Sequence, residues 1–357
     1  MTNPPDEPSL ADDRRWCFRA VEDVSRTFAL SIELLEEPID SWVCTGYLLC
    51  RGADTIEDEA AIPLAKRAEL LDIYRDLLDP TSDTDVATFL DAVEAVRPPA
   101  VETDADWEVL MQTDRVLRVF RSFDPAVSES MRGIVREMAT GMAEILRRHD
   151  GNGGLRLATV DELEEYCWYV AGTVGELFTT LLAHVDSVTV DEPDPDDAWA
   201  FALLLQLVNI AKDVRLDYET EDNVYLPGEW LAAEGIDHEA VADAATTDQV
   251  AAVVQRVIAH AESQTDGARQ YLATLPEDEG RVLEAAALPY LLAIGTLREL
   301  EGQIHDVVTE PATVKLDRQE VEALYQRMQH GITQSELDTL IAEVRADPSV
   351  DAYAVQN

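Results

Sequence analysis

The sequence predicts a single all-α domain, and three observations support this prediction. Runs rich in Ala, Leu, Glu and Arg recur with helical periodicity, whereas alternating stretches of β-branched residues are few. Gly, Pro and Asp interrupt these runs, but no linker is long enough to divide the 357 residues into two domains. The chain also contains 46 % hydrophobic residues, so it can bury a core large enough to offset the entropy lost on folding.

The predicted helices are separated by residues that commonly end helices. They cover residues 13–34, 39–59, 64–78, 84–95, 105–121, 125–149, 159–184, 195–220, 228–233, 238–244, 247–274, 277–308 and 317–344. The helix at 159–184 and the stretch 198–210 are apolar on most sides, which predicts that both are buried. We expect a flexible acidic N-terminus over residues 1–12, the all-α domain over 13–345 and a polar C-terminal tail over 346–357.

The charge of the chain limits its partners. Asp and Glu number 72 against 27 Lys and Arg, which gives a formal charge of −45. A nucleic-acid partner is not expected, because phosphate backbones require clustered cations, and adhesion to an anionic membrane is disfavoured for the same reason. The only lysines are Lys66, Lys212 and Lys315. Excess carboxylate with so little lysine indicates adaptation to a salty interior, since about 1 M salt shortens the Debye length to roughly 3 Å and screens self-repulsion. An ordinary acidic protein is the alternative.

Cysteines and apolar runs predict a cytoplasmic protein. Cys17, Cys44, Cys50 and Cys167 show no CxxC spacing, so neither a zinc site nor a disulfide framework is predicted. The N-terminus is acidic and Pro-rich, unlike a signal peptide. No apolar run reaches the ~20 residues needed to span a bilayer, so we expect at most peripheral membrane contact.

A group of carboxylates ends the apolar helix that begins near residue 39. Asp54, Glu57 and Asp58 are three and four residues apart, so they share one helix face. Their repulsion costs stability unless a cation lies between them, and hard oxygen ligands of this kind suit Mg²⁺. The competing interpretation is that these carboxylates belong to a solvated acidic surface. In so acidic a chain, this cluster taken alone favours the surface interpretation over a metal site.

A second polar group follows the apolar stretch 201–205 directly. It comprises Gln206, Asn209, Lys212, Asp213 and Asp217. Asn209, Asp213 and Asp217 recur every four residues and form one stripe. A solvated face rarely continues from a wholly apolar stretch in this way. Two carboxylate groups on separate helices match what is needed to hold several Mg²⁺ ions around a diphosphate, so the pair favours function over surface.

Two further segments contain residues suited to binding ions. Tyr166 and Tyr169 are three residues apart and are expected to share a helix face that could meet a cation. Gly172 and Gly175 follow in the same helix, where small residues admit a bulky ligand or, equally well, a closely packed helix.

The other segment is Ser25-Arg26-Thr27-Phe28, together with Tyr47 and Arg51. Arginine beside a Mg²⁺ site can bind diphosphate oxygens with two parallel hydrogen bonds. A salt bridge between Arg51 and its acidic neighbours is the alternative.

The glycine-rich segment 151–154 is not predicted to bind phosphate. It follows no strand and lacks the G-x-G-x-x-G spacing, so we interpret it as a turn between helices. A nicotinamide cofactor would therefore have to bind without a Rossmann fold.

In this order, the four segments resemble the squalene/phytoene synthase family of head-to-head prenyl synthases, from about residue 25 to residue 318. The resemblance implies a single-domain isoprenoid synthase fold in which two aspartate-rich motifs face each other across a central cavity. The implied metal ligands are Asp54, Glu57, Asp58, Asn209, Asp213 and Asp217. The implied diphosphate-binding residues are Ser25, Arg26, Tyr47, Arg51, Gln206, Asn209 and Lys212. Tyr169 matches the catalytic tyrosine, and the four aspartates complete the implied catalytic set.

Within the family, the first motif Asp54-Thr55-Ile56-Glu57-Asp58-Glu59 is similar to that of squalene-type members. The segment 288–297 resembles a late squalene-type segment, and Lys315 and Arg318 fall where that type carries basic residues, which implies contact with NADPH. In contrast, Val-Tyr-Leu-Pro at 224–227 is closer to the phytoene type.

The resemblance implies a Mg²⁺-dependent enzyme that joins two farnesyl diphosphates per turnover through presqualene diphosphate and then reduces this intermediate with NADPH. Tyr169 would steady the cation or help move a proton, and residues 218–224 would form a flap over the diphosphate. We expect a monomer. The alternatives are a synthase that stops before reduction and makes dehydrosqualene or phytoene, a class I terpene cyclase, and a non-catalytic helical protein that binds isoprenoids.

Overall fold

The computed structural model describes residues 9–99, 104–185, 188, 193–311 and 314–346. Helices account for 76 % of the chain and the described part contains no strand, which confirms the predicted all-α class. The helices are α1 (Leu10–Val24), α2 (Arg26–Leu34), α3 (Ile39–Asp58), α4 (Leu64–Leu78), α5 (Val86–Glu94), α6 (Ala105–Met111), α7 (Thr113–Phe120), α8 (Pro125–Arg148), α9 (Val160–Cys167), α10 (Thr173–Leu182), α11 (Pro195–Glu221), α12 (Gly228–Ala233), α13 (Thr247–Ser263), α14 (Thr265–Ala273), α15 (Val282–Thr309), α16 (Arg318–Gln329) and α17 (Gln334–Arg345). The predicted tails lie outside the described residues over 1–8 and 347–357.

Two predicted helix boundaries were wrong at the start of the chain and before α15. Residues 13–34 form two helices because Ser25 ends α1, and its hydroxyl then accepts a hydrogen bond from the backbone N–H of Phe28 at 3.4 Å. The helix predicted from residue 277 begins only at 282. Gly280 and Arg281 precede it with φ angles of 63° and 57°, a left-handed conformation that cannot continue a helix.

The C-terminal helix predicted over 317–344 is also divided. Gly331, with φ of 82°, follows the end of α16. Thr333 and Glu336 then form a capping box that starts α17. Shorter divisions fall within the predicted helices 105–121, 238–244 and 247–274.

Helices α3 and α11 carry the two polar groups. Helix α10 contacts both of them. Helix α3 also packs against α4, α6, α7 and α8, while α11 packs against α13, α14 and α15. Helix α15 in turn contacts α2. These contacts hold α3 and α11 in fixed positions around a space that their polar residues enter.

A π turn at Trp168–Gly172 interrupts the helix predicted over 159–184. Its hydrogen bonds enclose one more residue than those of an α-helix, so it changes the direction of the side chains that follow. Gly172 is needed for close packing here, since a Cβ atom would lie 2.6 Å from the ring of Trp168 and 3.1 Å from that of Trp199.

All four cysteines are buried and none is bonded to another. None of the described helices combines the length and apolar character that crossing a membrane would require.

Candidate active site

The carboxyl end of α3 forms one wall of a polar cavity. Asp54, Glu57 and Asp58 line it, and Glu57 is only 2 % exposed. The buried Arg67 holds this end of the helix, because its Nη1 donates to the carbonyl of Glu57 at 2.6 Å and its Nε donates to that of Ile62 at 2.7 Å. The last carbonyls of a helix lack intrahelical donors, so Arg67 satisfies one and fixes the turn that carries the carboxylates.

Helix α11 forms another wall of the same cavity. Its contributing residues include Gln206, Asn209, Lys212, Asp213 and Asp217. Glu221 lies one turn further along and also lines the cavity, as do Tyr166 and Tyr225. The volume is about 310 Å³. We call this cavity the polar chamber. It brings together the two carboxylate groups, which are more than 150 residues apart in the sequence.

The carboxylates of the polar chamber crowd one another in a desolvated space. Burial raises the pKa of Asp54 to about 7, with the charge of Asp58 adding to the shift and that of Arg51 opposing it. Burial and neighbouring carboxylates likewise raise the pKa of Asp217 to about 8 and that of Glu221 to about 9. A cation among these groups would favour their ionised forms.

The oxygen donors of the polar chamber fit Mg²⁺. Glu57 Oε1 and Asp213 Oδ1 are buried and have no hydrogen-bond partner among the described residues. An unpartnered buried oxygen is costly, and a cation would satisfy it. No three Asp, Glu, His or Cys side chains in the described part of the chain converge closely enough to hold a metal alone. Since Mg²⁺ usually keeps waters and takes phosphate oxygens as ligands, each ion would need only one or two carboxylates.

An apolar chamber of about 230 Å³ adjoins the polar one. Residues of α2, α3, the π turn, α10, α11, α14 and α15 line it. The residues that line both chambers are Asp54, Val170, Gln206 and Asn209. Gly175 lines the apolar chamber, and a Cβ atom there would meet only Ala202 Cβ, at 3.5 Å. An apolar body with a polar mouth suits a ligand that has a hydrocarbon tail and a charged head.

Arg51 lines the polar chamber, but a carboxylate already holds its guanidinium. Its Nε and Nη2 donate to the two carboxylate oxygens of Asp106, on α6, at 2.6 and 2.9 Å. Asp54 is further away, at 4.0 Å. Burial opposes the charge of Arg51, but the hydrogen bonds to Asp106 and the charge of Asp54 raise its pKa overall. Arg51 thus forms a salt bridge, mainly with a partner that the sequence did not indicate, and its role in diphosphate binding stays a prediction. A bound diphosphate would compete with Asp106 for this guanidinium.

The segment 25–28, which begins α2, and Tyr47 contribute less than predicted. Tyr47 lines the apolar chamber and stacks on Phe28, with ring centroids 4.2 Å apart. Burial raises the pKa of Tyr47 to about 12, against the opposing effects of Arg51 and Ser25. Ser25 itself caps α2, and Arg26 is exposed. Neither of these two residues lines a chamber, so the structure does not bring Arg26 to the predicted diphosphate site.

Comparison with known proteins agrees with the family resemblance of the sequence. The profile of the squalene/phytoene synthase family matches residues 21–320. The chain belongs to this family. The squalene synthase of Schizosaccharomyces pombe is 27 % identical over 303 residues, which are 82 % of this chain and 62 % of that protein. The probable squalene synthase of Neurospora crassa is 31 % identical over 218 residues, 60 % of this chain and 42 % of that protein. The chain thus spans less than two thirds of either relative's length.

Two solved structures share the fold of this squalene/phytoene synthase family member. A complex of TcSQS with the ligand E5700 has a TM-score of 0.72 at 23 % identity and covers 96 % of this chain and 99 % of that one. A dehydrosqualene synthase in complex with a ligand has a TM-score of 0.55 at 20 % identity and covers 95 % and 97 %. This likeness confirms the isoprenoid synthase fold.

Tyr169, which the family resemblance marks as catalytic, lines neither chamber. Its ring packs on α8 at Gly141, where a Cβ atom would lie 2.1 Å from it. Tyr169 lies in the π turn that starts at Trp168, where the regular α-helical spacing behind the predicted shared face with Tyr166 ends. Tyr166 enters the polar chamber instead. The catalytic role of Tyr169 stays a prediction.

Lys315 and Arg318, predicted to contact NADPH, are exposed and line neither chamber. Between them, Leu316 packs on α15, with Cδ2 2.8 Å from the position of a Cβ atom at Gly295. The two basic residues as placed do not form a nicotinamide site at the chambers. Their contact with NADPH stays a prediction.

The segment 218–224, predicted to be a flap, is held by regular structure. Helix α11 continues to Glu221, and Asp222 follows with a left-handed φ of 56°. The backbone N–H of Val224 then donates to the carbonyl of Leu155 at 2.9 Å. This region is therefore attached to the glycine-rich segment rather than open above the chamber.

Sequence reasoning missed four residues that shape the polar chamber. Glu221 extends the four-residue spacing of Asn209, Asp213 and Asp217, so the pattern could have revealed it. Tyr225 gave no such signal. Neither did Arg67, which holds the carbonyl of Glu57, nor Asp106, which holds Arg51. Asp106 contacts Arg51 across 55 positions of sequence, a pairing that no local pattern encodes.

Proposed function

We propose that this chain is a farnesyl-diphosphate farnesyltransferase that joins two farnesyl diphosphates head to head through presqualene diphosphate and reduces the product to squalene with NADPH. One observation carries the coupling step: two carboxylate groups on separate helices line a polar chamber that adjoins an apolar one. Relatives named squalene synthase support the choice of substrate.

The polar chamber would receive the diphosphate and the apolar chamber the farnesyl chain. Lys212 and Arg51 offer positive charge to the phosphate oxygens. The residues proposed to hold Mg²⁺ are Asp54, Glu57, Asp58, Asn209, Asp213 and Asp217. When bound, Mg²⁺ neutralises charge that develops on the leaving diphosphate. The C1–O bond of the first substrate then breaks, and its electron pair leaves with the diphosphate.

The chambers would next protect and direct the allylic cation. The C2–C3 double bond of the second substrate attacks C1 of the first, and loss of a proton closes a cyclopropane. The products of this step are presqualene diphosphate, pyrophosphate and a proton. Tyr166 and Tyr225 stack at 4.7 Å beside the polar chamber and present π faces that attract a cation. The apolar walls exclude water that would quench it.

A synthase that omits the reduction is the second candidate. Two observations favour it: residues 224–227 read Val-Tyr-Leu-Pro, as in phytoene-type members, and Lys315 and Arg318 are exposed away from both chambers. Such an enzyme would convert the same intermediate into dehydrosqualene.

Product analysis with and without NADPH tests both candidates. The purified protein is incubated in concentrated KCl with farnesyl diphosphate and Mg²⁺, and the hydrocarbons are identified by mass spectrometry. We expect squalene only when NADPH is present, and no product when a chelator removes Mg²⁺. The same C30 hydrocarbon in both tubes would overturn the reduction. The absence of any C30 product would overturn the coupling.

A further inference from the structure

The glycine-rich segment between α8 and α9 fits closely against the residue that follows α11. A Cβ atom at Gly154 would lie 2.0 Å from the backbone oxygen of Asp222, and one at Gly153 would lie 2.0 Å from its Oδ2. Glycine is therefore required at Gly154, where the close atom belongs to the backbone, whereas a side chain at Gly153 would displace the carboxylate of Asp222. A simple turn between two helices would not need this contact with a residue about 70 positions away.

Backbone and side-chain hydrogen bonds continue the attachment. Val224 N–H donates to the carbonyl of Leu155 at 2.9 Å, and Leu157 N–H donates to the carbonyl of Val224 at 3.4 Å. The side chain of Asn223 accepts a hydrogen bond from Leu155 N–H at 2.8 Å. Asn223 is fully buried, so this contact is shielded from water.

Arg156 adds a charged link. Its Nη2 donates to Oδ1 of Asp222 at 2.7 Å, and its Nη1 donates to the Asp222 carbonyl and to that of Leu155. Its side chain is only 9 % exposed, which strengthens a charge-assisted hydrogen bond. Arg156 therefore holds both the side chain and the backbone of Asp222.

The attached residues reach the polar chamber. Asn223 Nδ2 donates to Tyr225 Oη at 2.9 Å and to Glu221 Oε2 at 3.2 Å. Tyr225 Oη donates to the same Glu221 oxygen at 3.3 Å. Tyr225 also stacks on Tyr166. Tyr166, Glu221 and Tyr225 line the chamber, whereas Asn223 does not. The position of this wall thus depends on Asn223 and its neighbours.

We propose that residues 153–156 form a clasp that holds residues 221–225 as a wall of the polar chamber, and that Arg156 is a positioning residue for diphosphate binding. Arg156 lines neither chamber, so it acts through Asp222 and Asn223. The proposal rests on the proposed function, because it takes the polar chamber as the diphosphate site.

Two substitutions distinguish a positioning role of the clasp from a direct effect of charge on anion binding. Arg156→Gln removes both the clasp and a cation, and either loss would weaken anion binding. Asp222→Asn removes an anion, so charge alone would strengthen the binding of pyrophosphate, whereas loss of the clasp would weaken it. Asparagine tolerates the left-handed φ at this position, so the fold is not strained. Glu219→Gln is the matched control, since it removes an exposed carboxylate from the last turn of α11 without touching the clasp.

The binding of inorganic pyrophosphate in the presence of Mg²⁺ is measured by calorimetry for the wild type and the three variants. We expect Arg156→Gln and Asp222→Asn each to weaken binding about tenfold, as loss of a charge-assisted hydrogen bond implies. Glu219→Gln should bind at least as tightly as the wild type. In turnover with farnesyl diphosphate, the two clasp variants should raise KM more than they lower kcat.

Wild-type or tighter binding by Asp222→Asn would overturn the clasp and leave the proposed function untouched. Failure of the wild-type protein to bind pyrophosphate with Mg²⁺ would overturn the diphosphate site, and the clasp with it. If Arg156→Gln does not fold, as judged by circular dichroism, Asp222→Asn alone decides the question.

Discussion

Replacement of Asp213 by asparagine is expected to lower kcat on the order of 10³-fold, the cost of losing an electrostatic contact to developing charge. Asp213 lines the polar chamber, and its buried Oδ1 has no hydrogen-bond partner among the described residues. Asparagine keeps the shape of the side chain but removes the charge that Mg²⁺ requires. Turnover of farnesyl diphosphate is measured over a range of Mg²⁺ concentrations.

Asp91→Asn is the matched control for this experiment. Asp91 is exposed on α5 and lines neither chamber, so its variant should keep full turnover. Undiminished turnover by the Asp213 variant, with the control unchanged, would contradict the metal-holding role of α11.

Filling the apolar chamber is expected to have the second large effect. Gly175→Leu places a side chain in the space beside Ala202, where the farnesyl chain would lie. Displacing the reacting carbon by about 1 Å can cost 10²-fold in rate, so we expect a loss of turnover of at least about 10²-fold. Binding of pyrophosphate with Mg²⁺ should not change, because Gly175 does not line the polar chamber.

Gly133→Leu is the control for replacing a helical glycine by leucine outside the apolar chamber. Gly133 is exposed in α8, and among the described residues no atom outside its own helical turn lies within 4 Å of a Cβ atom there. A Gly175 variant that retained full turnover would show that the apolar chamber does not hold the hydrocarbon chain. Equal loss of turnover and pyrophosphate binding would show that the chambers are not independent.

The sequence predicted the fold and the two polar walls because both depend on local periodicity. Asp54 and Asp58, like Asp213 and Asp217, share a face through the regular spacing of an α-helix, and this spacing is readable without knowing the partner helix. The same periodicity also predicted where helices occur along the chain. Helix ends were less predictable because single residues such as Ser25 decide them.

The remaining parts of the site depend on contacts that local patterns do not encode. The prediction for Tyr169 assumed a regular α-helical spacing, which the π turn at 168–172 interrupts. The guanidinium of Arg51 is held by Asp106, which lies on a different helix. The glycine-rich segment was interpreted as a turn between helices, and its contact with Asp222 is visible only in three dimensions.

The release of pyrophosphate tests head-to-head coupling most directly. The purified protein is given farnesyl diphosphate, Mg²⁺ and NADPH, and the pyrophosphate and hydrocarbon products are counted in the same reaction. Both substrates lose their diphosphate in this reaction, so we predict two pyrophosphates for each C30 hydrocarbon. One pyrophosphate for each C15 product, as in a terpene cyclase, would contradict head-to-head coupling, and so would the absence of any release.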